Sequence, residues 1–348
     1  MDNSVESVDN SRNQALLINM HLRWKTDYVN KRAARPFNFP YFHAILRANS
    51  AAKHFVSLYY NIFYRYFKSP HFSAKNFRCT EGRKESVALN LRRTLLCGQC
   101  FRWREIAPDV FAGTAGGRRL VLTQQDLPKL EQNPFWRRYF DFDTDYETLR
   151  GQLAELHPNL REAARQSAGI HILRQDPWEA LCSFILSQNN NIPRIQGIVS
   201  RLCQETEEPL PYAAFQESAA AHPFPRPETL AGLTEAQLAP LRCGFRARYL
   251  LDAAQKVADG TVPLEQLRTV PLAEARAALM QIVGVGPKVA DCTLLYGLHR
   301  MEAFPVDVWM KRAMAQWFPG VEPAAFGAAA GLAQQYIFNW ARNGVAAG

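Results

Sequence analysis

The run Ile282-Val-Gly-Val-Gly-Pro-Lys288-Val-Ala-Asp291, with Asp307 nineteen residues beyond the lysine, is the stretch best equipped for chemistry. Pro287 suits the first position of a helix, where its missing N–H costs nothing. Lys288 then falls in the first helical turn. Unpaired N–H groups and the positive end of the helix dipole favour anions there and penalise ammonium groups. A lysine so placed either swings away into solvent, the ordinary reading, or is wanted as a neutral amine, which is a nucleophile. Asp307 follows Pro305 and precedes a helical pattern over Val308–Phe318, so its plain reading is an N-cap.

Around these two residues the elements are helical. Leu272, Ala275, Leu279 and Ile282 recur at helical spacing, and Val289, Cys292 and Tyr296 carry an apolar face onward. Gly284 and Gly286 permit backbone angles and close approach that a side chain would block. The expectation is a helix–hairpin–helix with its turn over 282–288. The N–H groups of Val283, Gly284, Val285 and Gly286 could then cradle a phosphate. An ordinary helical corner with a glycine C-cap fits the same spacing.

The chain divides into three parts and a short tail, 344–348. Residues 1–80 lack clear periodicity and interleave basic with aromatic residues, from Trp24 through Tyr59, Tyr60 and Phe63 to Phe77. Such a stretch could stack on single-stranded nucleic acid, or be a poorly ordered extension or a mis-assigned start. A β-rich domain with trailing helices is expected over 81–173. Val87, Leu89 and Leu91 alternate, Phe101-Arg-Trp103 follows a glycine, and Arg119–Thr123 is a β run after Gly116-Gly117. Helices dominate from about Leu127, and a helical domain is expected over 174–343. Strands first and helices later make the fold class α+β: an antiparallel sheet domain followed by a mostly helical helix–hairpin–helix domain.

Composition sets the limits. The 348 residues are 47% apolar, enough for a substantial core. The net charge of +9 is unevenly spread: residues 1–80 hold 12 basic and 4 acidic groups, the remainder 29 and 28. Bulk charge therefore does not make the folded part a nucleic-acid binder; only a local patch could. Seven scattered cysteines and the lack of a secretory signal point to a reducing intracellular compartment. That means cytoplasm or nucleoid in a prokaryote, nucleus in a eukaryote. Cys97-Gly-Gln-Cys100 is a lone pair without the partners of a zinc site, and no cysteine follows Cys292 to build an iron–sulfur loop. No cofactor or metal is expected. No stretch reaches the roughly 18 apolar residues of a membrane span.

Five motifs carry a resemblance: Gly98-Gln-Cys-Phe-Arg-Trp103, Ser187-Gln-Asn-Asn-Asn-Ile-Pro-Arg194, Gly244-Phe-Arg-Ala-Arg-Tyr249, the hairpin with Lys288, and Pro305-Val-Asp307. Together, over about Ser86 to Arg342, the chain resembles the 8-oxoguanine DNA glycosylases of the helix–hairpin–helix superfamily. The resemblance implies a monomeric base-excision repair enzyme acting on double-stranded DNA with an oxidised guanine opposite cytosine. Such an enzyme flips the base out of the stack. Lys288 would attack C1′ and expel the base, and the resulting Schiff base would undergo β-elimination. Asp307 would stabilise the charge developing on the sugar.

For the pocket, the resemblance implies that the Gly98 carbonyl accepts the N7–H that only the oxidised base carries. Gln334 would read the Watson–Crick edge, Cys292 and Phe338 would sandwich the ring, and Met310 would line the site. Plain core positions on helical faces would account for the apolar members equally. Asn189, Arg194 and Arg246 match residues that grip the opposite base, and Phe245 matches a wedge. Two positions depart from the family: Phe245 stands where tyrosine is frequent, and Trp309 where a histidine lies near the lesion phosphate. Two other functions share the scaffold. A monofunctional glycosylase for alkylated bases would need no nucleophilic lysine. A non-catalytic DNA-binding module would use the hairpin alone.

Overall fold

A computed structural model describes residues 89–206 and 222–344. The expectations for residues 1–80, for Val87 and for the tail after Gly344 lie outside the described residues. The first element is a helix, α1 (Leu91–Leu96), where the alternation of Leu89 and Leu91 reads as a strand. The reason is local. Asn90 caps the helix, its side chain accepting from the Arg93 N–H at 2.9 Å, and Leu91 and Leu95 then bury one turn apart.

The sheet follows as expected, an antiparallel meander of β1 (Trp103–Ala107), β2 (Val110–Ala115) and β3 (Arg118–Leu122). Gly116 and Gly117, at φ 52° and 68°, supply the two left-handed residues of the tight β2–β3 turn. Trp103 lies across its strand partner Gly113, where a Cβ would come within 2.3 Å of the indole. The fully buried Trp103 donates its N–H to the Tyr139 hydroxyl at 2.8 Å and packs with Trp136 and Phe140, which forms the core of this part.

Helices and the segments that connect them make up the rest of the described chain. They are α2 (Leu127–Gln132), α3 (Pro134–Tyr139), α4 (Tyr146–Leu156), α5 (Pro158–Gln166), α6 (Pro177–Ser187) and α7 (Ile192–Thr206), then α8 (Pro227–Ala231), α9 (Arg246–Ala258), α10 (Leu272–Leu279), α11 (Pro287–Tyr296), α12 (Val308–Trp317) and α13 (Ala330–Gly344). None is long and apolar enough to cross a membrane. Residues 180–186 of α6 and 289–296 of α11 are buried without interruption, so these two helices form the axis of the main core. They approach closely because Gly297 follows α11: a Cβ there would meet the Pro177 Cα at 2.8 Å. Each fully buried leucine on this axis, such as Leu181 or Leu294, contributes about 1.5–3 kcal/mol.

One polar device ties the turn after α1 to this core. The fully buried Gln99 side chain donates to the carbonyls of Thr94 (2.9 Å) and His171 (2.8 Å) and accepts from the Leu173 N–H (2.9 Å). Gln175 then donates to the Gln99 carbonyl at 2.7 Å and lies 3.4 Å from that of Tyr296 at the end of α11. Gly98 is thus held against the helical part by its neighbour's amide.

Candidate active site

Segments far apart in sequence meet at a cavity of about 60 Å³. Lys288, second residue of α11, enters from one wall, behind the N-cap Gly286 and the first-position Pro287. Its half-buried side chain turns inward: Nζ donates to the Ser187 Oγ at 3.1 Å and lies 5.2 Å from the centre of the Phe184 ring. Ser187 in turn donates its own hydroxyl to the Phe184 carbonyl at 2.7 Å. That commits its only proton, so its oxygen faces the amine as an acceptor.

Asp307 forms another wall at the head of α12. It is the N-cap read from the sequence, its Oδ1 accepting from the Met310 N–H at 2.7 Å. Lys288 and Asp307 share the cavity but form no ion pair with each other. Each therefore remains available to a third group.

Four of the five residues expected around the base also line the cavity: Gly98, Cys292, Gln334 and Phe338. Gly98 needs its glycine for the backbone angle, φ 94°; a Cβ would find Ile192 at an ordinary 3.4 Å. Burial pushes the Cys292 thiol up to about 11 against the opposing pull of Lys288, so this wall is neutral. The Gln334 Oε1 lies 3.1 Å from the Tyr296 hydroxyl. Met310 is the exception. It is fully buried in the main core and does not reach the cavity, because one turn into α12 it faces inward and only its backbone N–H serves the site.

The residues expected to face the opposite base lie together on two neighbouring turns. Asn189 takes a left-handed conformation (φ 50°) in the turn between α6 and α7, and Arg194 is exposed at the start of α7. Phe245, 48% exposed, caps α9. Arg246 departs from expectation. Only 4% exposed, it donates to the carbonyls of Gln188 (2.8 Å), Cys243 (3.0 Å) and Asn189 (3.3 Å), with a further bond to Gln188. Its guanidinium also lies 4.4 Å over the Phe245 ring. The arginine holds the turn and the wedge in place, with at most one N–H left to reach outward. Burial lowers its pKa, and the nearby charge of Arg194 adds to this.

The hairpin is likewise partly self-occupied. The Val283 N–H donates to Asp252 Oδ2 at 2.7 Å and the Val285 N–H to the Ile282 carbonyl at 3.0 Å. The N–H groups of Gly284 and Gly286 have no acceptor among the described residues. Only these two of the four expected donors are open to a phosphate. Gly284 is required twice over, by φ 79° and by the Tyr249 ring 2.4 Å from where a Cβ would sit.

Residues 83–181 match the domain described as "8-oxoguanine DNA glycosylase, N-terminal domain", and residues 182–323 match "HhH-GPD superfamily base excision DNA repair protein". The chain is 31% identical over 247 residues to the "Probable N-glycosylase/DNA lyase" of Methanothermobacter thermautotrophicus, a match covering 62% of this chain and 77% of that one. The chain belongs to the 8-oxoguanine DNA glycosylase family. A solved 8-oxoguanine glycosylase/lyase of Clostridium acetobutylicum, in complex with double-stranded DNA, superposes with a TM-score of 0.65 at 31% identity, covering 74% of this chain and 93% of that one. The N-glycosylase/DNA lyase of Saccharomyces cerevisiae is 39% identical over 155 residues, but the match spans 41% of this chain and only 40% of the yeast protein.

Membership in the glycosylase family accounts for the order of the motifs, yet several residues that line the cavity or support its walls carried no signal of their own in the sequence. Ser187 opens a motif whose interest lay in its asparagines. Tyr296 reads as an apolar-face position, although a buried tyrosine hydroxyl asks for a partner. Gln335 sits beside the more obvious Gln334, and Gln99 lies between two cysteines. Trp309, one of the two departures from the family, is 60% exposed beside Asp307.

Proposed function

We propose that the chain is a bifunctional DNA glycosylase/lyase that removes 8-oxoguanine, opposite cytosine, from double-stranded DNA. The observation that carries this reading is the shared cavity: an inward-turned lysine and a capped carboxylate, unpaired with each other, beside Gly98, Cys292, Gln334 and Phe338. The relatives named N-glycosylase/DNA lyase support it, as does the Clostridium enzyme, solved with cytosine opposite 8-oxoguanine.

The extruded base enters the cavity while its sugar stays at the mouth, between Lys288 and Asp307. The Lys288 lone pair forms a bond to C1′ as the C1′–N9 bond breaks, and the departing base takes up a proton. Asp307 stabilises the positive charge that develops on the sugar. Ser187 aims the amine, since its oxygen accepts from Nζ. Ring opening gives a Schiff base on Lys288. Loss of a C2′ proton then breaks the C3′–O bond and cuts the strand on the 3′ side. On the opposite strand Phe245 fills the gap, while Asn189 and Arg194 meet the orphaned base. The N–H groups of Gly284 and Gly286, without an acceptor among the described residues, hold a backbone phosphate.

The test is incubation with duplexes containing 8-oxoguanine opposite each normal base, with and without borohydride. The reading expects a covalent protein–DNA adduct that Lys288→Ala abolishes, with cytosine preferred. Excision of methylated purines without action on oxidised guanine would replace it with the alkylated-base reading. DNA binding without any turnover would leave only a binding module.

A further inference from the structure

One residue in the cavity wall carries a polar group that no atom of the described residues satisfies. Gln335, 1% exposed, lines the wall beside Gln334. Its Oε1 accepts from the Tyr296 hydroxyl at 2.8 Å, and its Nε2 is buried with no partner. Buried amide hydrogens without an acceptor are rare in folded proteins, because burial removes the water they would otherwise bond. One placed in the wall of a ligand cavity finds its acceptor when the ligand arrives. The same Tyr296 hydroxyl lies 3.1 Å from the Gln334 Oε1, so a single tyrosine contacts two successive amides of α13 and gives its proton to the nearer, Gln335. Burial raises the Tyr296 hydroxyl well above its ordinary pKa, which keeps it protonated as the donor.

We propose that Gln335 is a second reader of the extruded base: its Nε2–H donates to an exocyclic oxygen or ring nitrogen on the base edge, with Tyr296 fixing the amide. The inference rests on the glycosylase reading above and adds to it a specificity-determining residue. A base offering only donors at that depth leaves the amide unpaired and is disfavoured. Tyr296 is a positioning residue, acting through Gln335.

The experiment compares two substrates on the full chain. One duplex carries 8-oxoguanine, and the other a preformed abasic site, which has no base for Gln335 to hold. Gln335→Leu keeps the volume and removes the amide; Gln335→Glu keeps the shape and removes the donor. Both are expected to slow single-turnover excision about 10- to 100-fold while cleaving the abasic duplex within about twofold of the unaltered chain. Tyr296→Phe is expected to show a smaller loss with the same selectivity. Equal losses on both substrates would mark Gln335 as a packing residue, and unchanged excision would mark it as idle; either overturns the proposal. Full excision by Gln335→Glu overturns the donor assignment. If the unaltered chain itself fails to excise 8-oxoguanine, the functional reading falls and this inference falls with it, a result distinct from unaffected variants.

Discussion

Asp307 serves structure and chemistry through the same carboxylate, and the two can be separated. As an N-cap it accepts from the Met310 N–H, and asparagine caps a helix about as well as aspartate. Asp307→Asn should therefore shift stability by less than about 1 kcal/mol. It removes the negative charge that faces the sugar, so excision should fall about 10²- to 10³-fold. Denaturant unfolding and single-turnover rates measured on one preparation decide the matter; a stability loss that tracks the rate loss would reduce Asp307 to a cap. Lys288→Ala should behave differently. Lys288 contacts the Ser187 hydroxyl, the Phe184 ring and the Cys292 thiol but forms no ion pair among the described residues, so the fold should persist while adduct formation and abasic-site cleavage disappear.

Among the elements, the helix–hairpin–helix was the most legible, and the reasons are physical. Its turn needs glycine for both backbone angle and space at 284, and its second helix opens with Pro287 at the first position. These demands are local, so residue type records them. Gly284→Ala, strained at φ 79° and driven into Tyr249, should cost at least about 1–3 kcal/mol and weaken DNA binding. Gly286→Ala meets nothing within 4 Å on an extended backbone, so it loses only capping preference and should cost less than about 1 kcal/mol. Equal tolerance of both in thermal unfolding would refute the packing argument. Elements set by tertiary partners were less legible. The alternation at Leu89 and Leu91 fits a strand until the Asn90 cap starts α1. Arg246 matches an opposite-base residue by resemblance, while its enclosure by three carbonyls is set by distant partners that the sequence does not record. Met310 has the right type for a pocket wall but the wrong side of its helix. Gln335 and Gln99 are uninformative as letters, because their meaning lies in which distant groups they meet.

Across the whole described molecule, the segment that follows the sheet part is fastened to the helical part by one buried carboxylate. Asp141, 1% exposed, lies between α3 and α4 and accepts from the Tyr146 hydroxyl and from Arg174 Nε, each at 2.7 Å, with His299 Nε2 at 3.1 Å. Arg174 precedes α6 and His299 follows α11, so the carboxylate gathers the approaches to both axial helices. Burial alone would raise its pKa. The partners outweigh burial, His299 foremost, and hold the group below the usual carboxylate range. An acid whose native pKa lies below its unfolded value binds fewer protons when folded, so stability rises with pH through that window. The contribution is complete above about pH 4, the ordinary aspartate range, and is lost as pH falls toward the native value. Asp141→Asn should therefore cost about 1.5–3 kcal/mol at pH 7 and lose less stability than the unaltered chain on acidification below pH 4. Urea unfolding from pH 7 downward measures both. Parallel acid limbs in the two proteins would show that some other carboxylate governs acid unfolding. Because Asp141 lies outside the cavity wall, abasic-site cleavage by the folded variant should stay within about twofold of the unaltered chain, which separates the fastening of the fold from the chemistry it supports.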